Sequence, residues 1–88
     1  MERIDSDLVR EFLVSIGFVE VFYNSGVYKF GEYHIHFIQR DWSVQNWLTI
    51  ELVQGKNKFL KFNGVVHSFV DFKVVIGLVI NKNGYKRV

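Results

Sequence analysis

Ser68-Phe69-Val70-Asp71-Phe72-Lys73-Val74-Val75-Ile76-Gly77-Leu78-Val79-Ile80 decides the fold of this chain, because it can be read as a helix or as a buried strand. The β-branched run from Val74 to Ile80 suits a strand, and periodicity alone does not separate the two over so few residues. Two features favour a helix. Ser68 is a good N-cap, and Asp71 follows three residues later, where a negative charge favours the helix N-terminus. Helical spacing also gathers Phe69, Phe72, Val75, Ile76 and Val79 into one stripe. It leaves Val70, Val74 and Leu78 on a second stripe at i, i+4 and i+8, with Gly77 beside it. A helix with two apolar sides needs two things to pack against.

Upstream of this helix the period is two. Strands are expected at Phe18–Tyr23, Val27–Phe30, Tyr33–Gln39, Trp47–Val53 and Lys58–Phe62. Gly31-Glu32 between the second and third suits a type II′ hairpin, and Asn24-Ser25-Gly26, Gln54–Asn57 and Asn63-Gly64 are turn signals. Residues 6–16 have helical spacing, with Leu8, Val9, Phe12, Leu13 and Ile16 on one side. Asp5 or Ser6 caps that helix and Gly17 stops it. The order helix, antiparallel meander, helix implies an α+β fold, with one face of the sheet for the helices and the other for water. Residues 1–81 form a single domain on this reading, and 82–88 a basic C-terminal tail.

The chain has 88 residues, 49% hydrophobic and 17% aromatic, which excludes the disordered class and gives a core built around large rings. It has no cysteine, so disulfides, thiolate metal sites and thiol nucleophiles are excluded together. No stretch approaches the roughly 18 apolar residues of a membrane span. Met1–Asp5 has neither the basic region nor the apolar stretch of a signal peptide. A cytoplasmic protein without a membrane partner is expected. Charge is unevenly placed: residues 1–55 hold four basic and eight acidic side chains, net −4, whereas 56–88 hold seven basic and one acidic, net +6.

The helix end Ile16-Gly17-Phe18, the short strands, and Phe62-Asn63-Gly64-Val65-Val66-His67-Ser68-Phe69 before the last helix carry a resemblance. The pattern resembles a loose group of small uncharacterised proteins from phages and mobile elements of Bacteroidetes. In that group an "IGF" helix end precedes short strands and a V-H-x-F/L segment opens the final helix. Ser68-Phe69-Val70 stands where Glu-Leu-Gln is more usual. The resemblance implies a phage accessory role in a host cytoplasm and transfers no catalytic residue.

Chemistry-bearing constellations are sparse. His34 and His36 share one strand face, as two metal ligands would. A site needs a third ligand such as His67, Asp41 or Glu51, and two histidines on the solvent side of a sheet are the plainer account. Ser68 beside His67 and Asp71 serves better as a cap than as a nucleophile. No catalytic motif, metal site or cofactor is expected. Lys56, Lys58 and Lys61, interleaved with Phe59 and Phe62, together with Lys82, Lys86 and Arg87, would suit single-stranded nucleic acid; Tyr23, Trp42 and Trp47 are further stacking candidates. The stronger lead is Val70, Val74, Gly77 and Leu78. Either the first helix or the Arg40–Asn46 loop covers that stripe, or another molecule does, a second copy in a homodimer or a host protein. A non-enzymatic binding protein is the expectation, with a nucleic-acid binder as the alternative.

Overall fold

The computed structural model describes residues 3–40 and 45–80. α1 spans Ser6–Ser15, capped by Asp5, whose side chain accepts a hydrogen bond from the Asp7 N–H at 2.8 Å. Its end is set by Gly17, held at φ 109°. The Gly17 N–H donates to the Val14 carbonyl at 3.0 Å and the Phe18 N–H to the Leu13 carbonyl at 2.9 Å, the paired bonds of a Schellman motif. Val9 and Leu13 are fully buried and Phe12 and Ile16 pack beside them. Leu8, expected on the same side, is exposed, because the buried line of the helix is centred on Val9 and Leu13.

The sheet has five antiparallel strands in chain order: β1 Val19–Glu20, β2 Val27–Phe30, β3 Tyr33–Gln39, β4 Asn46–Gln54 and β5 Asn57–Val66. β2 and β3 match the expected bounds, and Gly31 turns between them at φ 59° while Glu32 stays at negative φ, as a type II′ turn requires. Two expectations need correction. The first strand does not extend to Tyr23. Val19 pairs with Lys29 and Glu20 with Tyr28, so the same register brings the chain to its reversal at Asn24. Asn24 adopts φ 66°, and Ser25 Oγ accepts from the Val27 N–H at 3.1 Å.

The second correction concerns Asn63-Gly64, which is strand and not turn. The two-residue link Gly55-Lys56, with Gly55 at φ 62°, already reverses the chain and sets β5 against the whole of β4. Asn63 then pairs with Thr49 and Gly64 with the buried Leu48. Pairing along a nine-residue neighbour outweighs a local turn propensity. The register shifts once, between Ile50 and Glu51, where Lys61 is the additional residue of β5.

α2 spans Phe69–Ile80, so the decisive segment is a helix. Ser68 caps it: its Oγ accepts from the Asp71 N–H at 3.1 Å and its carbonyl from the Phe72 N–H at 2.9 Å. Phe72, Ile76 and Ile80 are buried, flanked by Phe69, Val75 and Val79. Both helices lie on the same face of the sheet. The Phe12 ring meets those of Phe69 and Phe72 edge-on at 6.1 and 6.0 Å, and Phe37 of β3 meets Phe72 at 5.6 Å. Tyr28, Tyr33, Ile35, Phe37, Leu48, Ile50 and Val66 complete this core from the strands.

One polar side chain lies inside it. Asn46 is fully buried; its Oδ1 accepts from the Ile4 N–H at 3.0 Å and from Gln39 Nε2 at 2.9 Å, while its Nδ2 donates to the Val66 carbonyl at 3.1 Å. Among the described residues, no helix is long and apolar enough to cross a membrane. The expected boundary at residue 81 and the basic tail lie outside the described residues.

Candidate functional site

The second stripe of α2 is where the structure and the sequence reading meet. Val70 is 64% exposed, Val74 52% and Leu78 66%, so neither α1 nor any other described element covers them. The cause is rotational. The aromatic cluster of Phe12, Phe37, Phe69 and Phe72 fixes which side of α2 faces the sheet, and the i, i+4, i+8 stripe is then turned outward. Gly77 borders it, and a Cβ placed there would meet nothing within 4 Å. Asp71 and Lys73 are exposed on the first turns, with Lys73 Nζ 4.9 Å from the Phe69 ring centroid.

Lys56, Lys58 and Lys61 are all exposed, Lys56 in the β4–β5 turn and the other two on β5. Their aromatic neighbours divide: Phe62 packs against the core, whereas Phe59 is 45% exposed. Lys82, Lys86 and Arg87 lie outside the described residues, as do Asp41 and Trp42. Trp47 lies on the helix-free face of the sheet, paired with Ile38 on one side and Val65 on the other.

That face also holds the histidines. His34 stands opposite Glu51 and His36 opposite Thr49, in a shallow depression lined also by Lys29 and Lys58. Burial, then the charge of Lys29, hold the His34 imidazole below its ordinary pKa, which favours the neutral ring. Among the described residues, no three metal-ligating side chains come together.

The sequence reading missed an ion pair beneath α1. Arg10 Nε donates to Glu20 Oε1 at 2.8 Å, its other nitrogens donate to Asp7 and Asn24, and its guanidinium lies 4.7 Å over the Tyr23 ring. Glu20 also accepts from the Gly26 N–H at 3.3 Å. The hydrogen bond to Glu20 and then that to Asp7 hold Arg10 firmly in its charged form. Burial and the nearby Glu20 charge push the Tyr28 phenol up to about 12. Arg10, Glu20, Asn24, Gly26 and Tyr28 line a cleft of about 370 Å³ between α1 and the β1–β2 loop, and the charges of Arg10 and Glu20 in it are already paired with each other. The alternation around Glu20 reads as an ordinary strand, so nothing in the sequence distinguishes it.

No family model, curated protein or solved structure matches the chain. What it does has to be read from its own surfaces.

Proposed function

We propose that this chain is a non-enzymatic interaction protein that pairs with a second copy of itself through the outward stripe of α2. The observation that carries this reading is the exposure of Val70, Val74 and Leu78 on a helix that is apolar on both sides. The stripe is symmetric about Val74. Two such helices crossing antiparallel at Val74 set Val70 of each against Leu78 of the other, and an i±4 ridge packs on its equivalent in a two-fold contact. The open side of Gly77 lets the partner's backbone approach. Each valine or leucine fully buried in this way contributes about 1.5–3 kcal/mol. The resemblance to phage and mobile-element proteins adds an accessory role in a host cytoplasm as the setting.

Light scattering across a wide concentration range, on wild type and Val74→Glu side by side, tests this. The expected result is a wild-type mass rising to twice 10.4 kDa, and a Val74→Glu variant that stays folded and monomeric. A wild type that remains monomeric at every concentration would refute self-association.

A further inference from the structure

β5 closes one edge of the sheet, and it is a long edge. The opposite border, β1, has two residues, whereas β5 has ten. Alternate residues of an edge strand turn their N–H and C=O groups away from the sheet. Among the described residues, no backbone hydrogen bond reaches the outer side of Asn57–Val66. Lys56, Lys58 and Lys61 lie along this border, and no acidic residue occurs between Gln54 and Val70. Leu60 and Phe59 are exposed beside them, at 61% and 45%.

Lysines and a bulge on an edge strand are devices that discourage edge-to-edge pairing between copies. Two β5 strands brought together would set Lys58 and Lys61 of one against those of the other, with Lys56 of each adjoining turn adding to the repulsion. The same charges favour an acidic strand. We infer that the outer edge of β5 is a docking site for an extended acidic segment of another polypeptide, which adds a sixth strand to the sheet. Main-chain hydrogen bonds would hold the segment, carboxylates beside Lys58 and Lys61 would select it, and an apolar residue on the other face would pack beside Phe59. An exposed peptide edge with apolar neighbours fits a polypeptide better than a nucleic acid, whose backbone does not alternate donors and acceptors at the strand spacing. This site is separate from the α2 stripe and does not depend on it.

The test uses a fluorescein-labelled alternating Glu-Val peptide of the ten-residue length of β5, titrated into the full chain by fluorescence polarisation. The expected result is saturable binding, with new amide hydrogen-exchange protection at alternate residues of 57–66. Lys58→Glu/Lys61→Glu should weaken it at least about tenfold, both being exposed surface positions. The same peptide N-methylated along one edge should fail to bind, although its charge is unchanged. Val74→Glu should bind as wild type does, which separates failure here from failure of the α2 reading. Absence of binding, or equal binding of the N-methylated peptide, would overturn the proposal. Tighter binding of an oligothymidylate of matching length, lost in the lysine variant, would overturn it in favour of nucleic acid.

Discussion

Replacing Asn46 gives the sharpest test of how this fold is held. Its amide joins the start of the chain to the β3–β4–β5 end of the sheet through Ile4, Gln39 and Val66. Asn46→Ala orphans the Ile4 N–H and takes the side-chain donor from the Val66 carbonyl, which keeps its ladder bond to β4; these residues are 3% and 2% exposed. A buried group left unpaired costs about 1–3 kcal/mol and a lost hydrogen bond to a group that keeps another about 0.5–1.5, which together set a range of about 1.5–4.5. The vacated space is polar and can admit a water, which places the expectation in the lower half, about 1.5–3 kcal/mol. A domain of this size has a total stability of roughly 4–13 kcal/mol, so the loss is a large fraction of it. Asn46→Asp sharpens the test. Its carboxyl keeps the acceptor for Ile4 and Gln39 but loses the donor to Val66, and ionisation there would be buried without a cation. Its folded-state pKa is therefore raised. The stability of this variant relative to wild type is retained in acid, where the protonated carboxyl can donate to Val66, and is lost as pH rises through that pKa. Urea unfolding followed by tryptophan fluorescence from acid to neutral pH measures both variants. An Asn46→Ala cost below about 0.5 kcal/mol, the range of ordinary surface changes, would refute the reasoning. So would an Asn46→Asp deficit that does not change with pH.

Gly77→Ala meets no neighbour in the free chain, so it should raise chemical stability by about 0.5–1 kcal/mol while loosening self-association in light scattering. Gly26→Ala should do the reverse to stability. Its Cβ would clash with the Phe37 carbonyl oxygen on a backbone held at φ 75°, and a loss above about 1 kcal/mol is expected in thermal or urea unfolding. His34 is held below its ordinary pKa of 6.5 in the fold, so the unfolded chain takes up its proton first. Stability from this group is present above pH 6.5 and falls as pH drops below it, and His34→Gln should flatten that part of the stability profile.

The helix-or-strand decision in the last third was legible because two independent signals agreed: a capping serine, and an aromatic stripe at helical spacing. The β2–β3 hairpin was legible for a similar reason, since alternation and a glycine at the turn fix the same register. The misreadings came where a local signal competed with pairing across the sheet. Asn63-Gly64 looks like a turn to its neighbours in sequence, but its conformation is set by Thr49 and Leu48 on β4. Tyr23 continues an alternating pattern that its partner strand is too short to accept. Asn46 and the Arg10–Glu20 pair were illegible because a buried polar group is defined by partners distant in sequence. The outward stripe of α2 was visible as a pattern, but only the aromatic packing beneath the helix determines which of its two apolar sides turns out.

The strictly sequential order of the sheet has a consequence for how the chain reaches this state. Each strand hydrogen-bonds only to the strand before and after it in the sequence, so every hairpin can zip from its own turn without waiting for a distant partner. Closing short loops costs little entropy, and chains dominated by local pairing fold quickly. The contact that spans the chain is the closure of Phe12 on Phe69 and Phe72, which joins the first helix to the last. Ring substitutions there should therefore act mainly on the unfolding rate, and those at the Gly31-Glu32 and Gly55-Lys56 turns mainly on the folding rate.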